Sequence, residues 1–192
     1  DDGPHPIATP FVLDQLKKYD AKATFFCIGR NVADHREIYQ RILNEGHAAG
    51  NHTYNHLNGW KVKNKEYIDD ILKASELIDS KLFRPPYGRI TRFQAAVLRG
   101  KSSVARRESL PSDQQPTTND RPFSIIMWSV LSADWDNRID GKKCYENVIL
   151  NAKPGSIVVF HDSAKAMERL EFALPKVLVY YKNKGYRFEI IR

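Results

Sequence analysis

The sequence predicts one α/β domain in which parallel strands are covered by helices on the outside. Apolar runs and helical patterns alternate along the chain, and parallel strands need such intervening segments. Two runs, 23–28 and 156–160, are almost continuously apolar, which is typical of strands buried on both faces. A chain of 192 residues, 42% of them hydrophobic, suffices for one domain with its own core.

The first predicted elements precede a histidine-rich stretch at 47–56. A helix is predicted over 9–19, because Thr9 suits the N-cap and a proline follows it in the first turn. The strand over 23–28 comes next, and a second helix is predicted over 34–44 with Asp34 as its cap.

The middle of the chain predicts a longer helix and a rigid loop. Apolar residues at helical spacing indicate a helix over 64–80, and a very short strand over 82–83 follows it. Pro85 and Pro86 then fix an extended or turning backbone. Helix resumes over 91–98.

The composition changes over 100–122, a polar stretch with three prolines that we interpret as a long surface loop or insertion. The remaining elements are predicted, in order, as a strand over 123–130, a helix over 142–151, a strand over 156–160, a helix over 164–184 and an alternating strand over 186–190.

Composition and charge restrict the class of protein. No run approaches about 18 consecutive apolar residues, so no membrane span is predicted. A net charge of +7 suits an anionic polymer such as a cell-wall glycan; no nucleic-acid-binding motif surrounds the basic residues, so we expect no nucleic-acid partner. Cys27 and Cys144 are too few for a disulfide framework, and no protein partner is inferable.

His52 and His56 are the first candidate metal ligands. Imidazoles four residues apart point at one ion if the chain turns helically after His52, but the same spacing also arises between surface histidines. A third ligand is therefore needed, and the acidic pair Asp1-Asp2 is the obvious donor. Two histidines and one carboxylate would leave positions on a divalent ion open for water, as in a catalytic site.

Other polar candidates follow predicted strands, where parallel strands bring active-site residues to one face. Five short motifs occur in order: Asp1-Asp2-Gly3-Pro4, His52-Thr53-Tyr54-Asn55-His56, Arg84-Pro85-Pro86-Tyr87-Gly88, Asp134-Trp135 and His161. Together they resemble the motifs of polysaccharide deacetylases with the NodB homology domain, carbohydrate esterase family four.

The resemblance spans the chain except the 100–122 insertion. It implies a distorted, incomplete (β/α) barrel of about seven to eight mostly parallel strands. Residues 1–192 would form a single NodB-like catalytic domain. We expect its first strand to precede Asp1 in the native protein, and a targeting segment could come before that strand.

For function, the resemblance implies metal-dependent hydrolysis of N-acetyl groups from an N-acetylglucosamine-type polysaccharide, such as peptidoglycan, in the cell envelope or outside the cell. The divalent metal is expected to be zinc, with cobalt or nickel in some members. A metal held by Asp2, His52 and His56 would lower the pKa of bound water, the nucleophile, toward about 7 and polarise the acetyl carbonyl.

The resemblance also assigns the acid and the base. Asp1 would be the general base and Arg84 the arginine that pairs with it. His161 would be the general acid that protonates the leaving amine, oriented by Asp134. The plainer alternatives are a turn at Asp1-Asp2, a surface salt bridge at Arg84 and a core histidine at His161.

Three further residues would contact substrate. The backbone N–H of Tyr87 resembles the family's oxyanion donor, Trp135 the aromatic that covers the site, and Val159 the apolar residue against the acetyl methyl. One position departs from the pattern: the fourth motif often begins with an aspartate where this chain has Leu131.

Two other functions stay open. The same chemistry would serve an O-acetyl esterase acting on xylan. The second alternative is a pseudoenzyme that binds glycan and metal without turnover. It is motivated by Leu131, the insertion and the expected upstream strand.

Overall fold

The computed structural model describes residues 1–100 and 122–192, so the predicted insertion at 100–122 lies outside these ranges apart from its end residues. Helices and strands alternate through both ranges. In chain order the elements are α1 (Ala8–Lys18), β1 (Thr24–Cys27), α2 (Gly29–Asp34), α3 (Arg36–Asn44), β2 (Ala48–Asn51), α4 (Asn64–Ser75), β3 (Leu82–Phe83), a 3₁₀ turn (Pro86–Gly88), α5 (Arg92–Leu98), β4 (Ser124–Ile125), β5 (Val130–Leu131), α6 (Gly141–Ile149), β6 (Val158–Val159) and α7 (Met167–Asn183).

The described strands form two parallel sheets. One sheet has the order β1-β2-β3-β4, and β5 pairs with β6 in the other. The register aligns Thr24 with Ala48 and Val130 with Val158. Parallel neighbours joined through helices confirm the predicted α/β class, and this arrangement brings the carboxyl ends of β1 to β4 to one side of their sheet.

The first three residues lie between β1 and β6. The Asp1 nitrogen donates to the Phe160 carbonyl at 2.8 Å, and the Asp1 carbonyl accepts from the Asp162 N–H at 3.0 Å. On the other side, the Gly3 carbonyl accepts from the Ile28 N–H at 2.9 Å. The acidic pair is therefore held at the carboxyl ends of both strands.

The largest apolar cluster packs α1 and α7 against β1. Leu13, Cys27 and Leu170 are wholly buried in it, so Cys27 serves as a small apolar core residue. Burying one leucine side chain stabilises the fold by roughly 1.5–3 kcal/mol. In the described ranges, no helix combines the length and hydropathy required to cross a bilayer.

Two predicted strands were wrong. The run 123–130 divides into β4 and β5, which belong to different sheets. The Ile126 and Met127 carbonyls between them accept hydrogen bonds from the buried Arg84 side chain, so they are not available to a continuous ladder. The 186–190 stretch forms no strand; it makes isolated contacts such as Lys22 N–H to the Phe188 carbonyl at 3.1 Å.

Two predicted helix starts were also wrong. Asp34 ends α2 instead of capping the next helix, because the chain breaks at His35 before α3 begins. Helix α1 begins at Ala8, where His5 Nδ1 accepts from the Ala8 N–H at 3.1 Å. Thr9 therefore lies inside the first turn, where its hydroxyl accepts from the His5 N–H at 2.8 Å and donates to Asp162.

Candidate active site

His52 and His56 converge on Asp2, but not through the predicted helical turn. His52 directly follows β2, and the backbone takes left-handed φ values of 62° at Thr53 and 57° at His56. This irregular loop brings His52 Nε2 to 3.6 Å and His56 Nε2 to 3.2 Å from Asp2 Oδ1. The three residues offer ligand atoms within 4.8 Å of one another.

Asp70 of α4 holds this loop, although the sequence reasoning did not identify it. One of its carboxylate oxygens accepts from the Tyr54 and Asn55 N–H groups, each at 2.9 Å. The other accepts from the Asn55 side-chain amide at 2.6 Å. A buried carboxylate that meets several loop N–H groups fixes the loop without an ordinary turn. The signal available in the sequence was an acidic residue on the apolar face of α4.

The hydrogen bonding of the histidines suits metal binding. His52 Nδ1 lies 2.7 Å from the Arg84 carbonyl, which only accepts, so the proton is on Nδ1 and the Nε2 lone pair faces Asp2. Burial lowers the pKa of His52 well below its usual range, although Asp2 opposes the shift. His56 Nδ1 contacts the Tyr87 hydroxyl at 3.1 Å, which again directs Nε2 toward Asp2.

The Asp2 carboxylate completes a set of donors that fits a divalent cation. Burial raises the pKa of Asp2, but the nearby histidines His56, His52 and His161 lower it by more. The resulting pKa is far below the usual range of an aspartate. Within the described residues, the buried Asp2 Oδ1 has no hydrogen-bond partner. An ionised, unpaired oxygen facing two imidazole lone pairs is the donor set that Zn²⁺ takes in sites of the two-histidine, one-carboxylate kind.

Asp1 pairs with Arg84 beside this triad. Arg84 Nη1 lies 2.7 Å from Asp1 Oδ1, and the guanidinium lies 4.0 Å from the centroid of the Phe26 ring. Its Nε and Nη2 groups donate to backbone carbonyls at 3.2 and 3.3 Å. Burial lowers the pKa of Arg84 to about 10, which leaves it protonated at neutral pH. Arg84 is therefore a buried partner of Asp1, not a surface salt bridge.

Asp134 and His161 form a second pair. Asp134 is fully buried; its Oδ1 lies 2.8 Å from His161 Nδ1, and its Oδ2 accepts from the His161 backbone N–H at 2.7 Å. Both contacts fix the imidazole, and the remaining ring nitrogen points away from Asp134. The Trp135 ring packs edge-on against His161 with centroids 5.1 Å apart.

Asp162 is a second residue that the sequence reasoning did not assign. Its carboxylate accepts from the Gly3 N–H at 3.0 Å and from the Thr9 hydroxyl at 2.5 Å. A Cβ at Gly3 would lie 2.0 Å from that carboxylate, so only glycine fits there. Burial raises the pKa of Asp162, with Thr9 and Gly3 acting against the shift. Asp162 thus holds the turn that carries Asp1 and Asp2. Its position directly after His161 was the signal in the sequence by which it could have been found.

The two residues predicted to contact the acetyl group, Tyr87 and Val159, lie in different environments. Tyr87 is 61% exposed in the 3₁₀ turn, with φ at +60° and its ring centroid 4.6 Å from that of His56. Val159 is buried in β6 opposite Leu131. Leu131 itself lies in β5, three residues before Asp134.

The fold and these clusters define a parallel α/β protein with a two-histidine, one-carboxylate site next to two charged pairs. The profile of the family described as polysaccharide deacetylase matches residues 1–100. Two peptidoglycan-N-acetylglucosamine deacetylases of Bacillus cereus are 35% and 34% identical over 98% of this chain, which spans 63% and 82% of their lengths. The chain belongs to the polysaccharide deacetylase family.

A solved structure agrees with this assignment. The crystal structure of the Bc1960 peptidoglycan N-acetylglucosamine deacetylase superposes with a TM-score of 0.82 at 34% identity, covering 100% of this chain and 83% of that one. The family resemblance inferred from the five motifs is confirmed.

Proposed function

We propose that this protein hydrolyses N-acetyl groups of N-acetylglucosamine residues in peptidoglycan or a related glycan of the cell envelope. The observation that carries the proposal is the meeting of three clusters at the carboxyl ends of parallel strands: Asp1–Arg84, Asp2–His52–His56 and Asp134–His161. An amide is a poor electrophile, and these clusters supply the groups that its hydrolysis needs.

Asp2, His52 and His56 would hold the divalent cation, for which we favour zinc. When bound, such an ion polarises the acetyl carbonyl and makes water more acidic. The residues around it fit this role, since the second nitrogen of each imidazole has its own partner within the chain.

In this mechanism Asp1 removes a proton from the attacking water, and Arg84 keeps the carboxylate ionised and oriented. The water oxygen bonds to the acetyl carbon, and the Tyr87 backbone N–H stabilises the negative carbonyl oxygen. His161, held by Asp134, then gives a proton to the nitrogen as the carbon–nitrogen bond breaks. The products are acetate and a free amine on the sugar.

Trp135 would cover the sugar beside His161, and Val159 would contact the acetyl methyl. The relatives' names as peptidoglycan deacetylases support this polymer over acetylated xylan, and a location in the envelope or outside the cell over other compartments.

Acetate release from an N-acetylglucosamine oligosaccharide, peptidoglycan and acetylated xylan tests the proposal. We expect release from the first two, and a loss of roughly 10²–10⁴-fold in Asp1→Asn and His161→Ala. Asp20→Asn is the matched control, since the Asp20 side chain is 93% exposed and remote in sequence from every cluster. Faster release from xylan would support an O-acetyl esterase, and glycan binding without release from any substrate would support a pseudoenzyme.

A further inference from the structure

Trp60 is a large aromatic residue held rigidly at the surface. It is 63% exposed, yet its indole Nε1–H donates to the Ile90 carbonyl at 3.1 Å and its backbone N–H to Asn58 Oδ1 at 3.0 Å. A tryptophan usually buries most of its ring in the core or in an interface. A fixed and exposed indole offers a flat apolar face on which a ligand can stack.

The turn that carries Trp60 is built on the core. The buried Gln94 donates from Nε2 to the Gly59 carbonyl at 2.9 Å. Gly59 is itself buried, and a Cβ there would lie 2.7 Å from the Arg89 carbonyl. Because the turn is packed from beneath, Trp60 loses little conformational freedom when a ligand binds.

Arg89 stands beside this indole and has no acidic partner among the described residues. Its guanidinium carbon lies 5.0 Å from the centroid of the Trp60 ring, and the side chain is exposed. Within residues 1–100 and 122–192, no carboxylate lies within 4.0 Å of it. A guanidinium ordered on an aromatic face presents paired N–H donors that match a carboxylate.

Two short segments of chain connect the pair to the metal triad. Trp60 follows His56 by four residues, and Arg89 follows Tyr87 by two. Tyr87 in turn contacts His56 Nδ1 through its hydroxyl at 3.1 Å. Four residues of chain span at most about 14 Å, so a polymer with one sugar at the triad can place another of its sugars on Trp60 and Arg89.

We propose that Trp60 and Arg89 form a subsite for a carboxylate-bearing sugar next to the residue that is deacetylated. Trp60 stacks on the apolar face of that sugar, and Arg89 binds its carboxylate. This inference rests on the proposed function and narrows its substrate to an acidic N-acetylhexosamine glycan. The carboxylate comes either from a lactyl ether on the sugar or from a peptide attached to it.

Binding is measured by isothermal titration calorimetry for the full chain with three probes: a neutral N-acetylglucosamine oligosaccharide, a peptide-free glycan strand with free lactyl carboxylates, and a strand with peptide stems. We expect Arg89→Gln to weaken binding of one or both acidic strands about tenfold and to leave the neutral oligosaccharide unchanged. The strand that loses affinity identifies the source of the carboxylate. Trp60→Ala weakens all three probes, and Trp60→Phe retains most of the affinity.

Lys63→Gln is the matched control, because it removes one exposed charge three residues after Trp60 in the sequence. The subsite is overturned if Lys63→Gln weakens binding as much as Arg89→Gln does. It is also overturned if Arg89→Gln weakens the neutral oligosaccharide as much as the acidic strands, or if either Trp60→Ala or Arg89→Gln binds the acidic strands as the wild type does. Because the readout is binding, a wild-type chain that binds acidic strands but releases no acetate would contradict the proposed function while supporting the subsite.

Discussion

Arg84 Nη1 donates to Asp1 Oδ1 at 2.7 Å, and the two side chains are only 4% and 5% exposed. The same residue accepts the His52 Nδ1–H at its backbone carbonyl, 2.7 Å away. Arg84 therefore orients both the proposed base and a proposed metal ligand. This double contact explains why an arginine at the end of a two-residue strand is so deeply buried.

Replacing Arg84 by glutamine is expected to reduce acetate release by roughly 10²–10⁴-fold, because Asp1 loses the partner that keeps it ionised. Breaking a buried pair also costs about 3–5 kcal/mol of the free energy of unfolding, measured by urea denaturation. Arg84→Lys retains the charge and should be intermediate in both measurements. Full activity in a folded Arg84→Gln protein would show that the proposed base does not depend on Arg84.

Asp134→Asn is expected to lower kcat by roughly 10²–10⁴-fold while KM changes little, because Asp134 touches His161 and not the substrate. The matched control is Asp136→Asn, which removes a half-buried carboxylate paired with the exposed Arg138 two residues away. If the two variants have the same steady-state kinetics, Asp134 is a structural residue only.

Asp162→Ala is expected to weaken zinc binding by roughly 10–100-fold, since the Gly3 N–H and the Thr9 hydroxyl lose their acceptor and the turn bearing Asp2 relaxes. Asp162→Asn retains an acceptor oxygen and should bind zinc more tightly than Asp162→Ala. Calorimetric titration of the metal-free protein measures both. Wild-type affinity in Asp162→Ala would show that the turn holds without this carboxylate.

His47 makes the fold sensitive to acid. Burial, reinforced by Lys22, lowers the pKa of His47, whose Nδ1 accepts from the Ala23 N–H at 3.3 Å. Below about pH 6.5 the unfolded chain takes up a proton that the folded chain resists. The free energy of unfolding should therefore fall as the pH drops from 7 to 5.

His47→Asn keeps an acceptor near the Nδ1 position and does not titrate, so its own fall over this range should be smaller. Denaturation at pH 7 and pH 5 measures both slopes. Identical slopes for the two proteins would exclude His47 as the source of the pH dependence.

Periodicity was sufficient for the parallel α/β class, for the helix α5 and for the buried strand β1. It failed where a side chain competed with the backbone. Arg84 takes the carbonyls that would have continued a strand after Ile125. It lies 42 and 43 residues before them, so no local pattern in 123–130 indicates this contact.

The site was predictable in composition but not in geometry. The five motifs identified Asp2, His52 and His56 together, and the structure brings them within reach of one ion. The helical turn expected after His52 does not form, because Asp70 binds the loop N–H groups instead. Contacts of this kind join residues far apart in sequence, so they become visible only in the folded chain.

The central claim is that the Asp2–His52–His56 triad holds a divalent cation that amide hydrolysis requires. Acetate release from an N-acetylglucosamine oligosaccharide should be followed after chelation and during stepwise addition of zinc, with bound zinc measured in parallel. We predict negligible release from the metal-free protein, recovery in proportion to one ion per chain, and neither binding nor recovery in His56→Ala. Undiminished release from the metal-free protein, or full recovery in His56→Ala, would contradict the account.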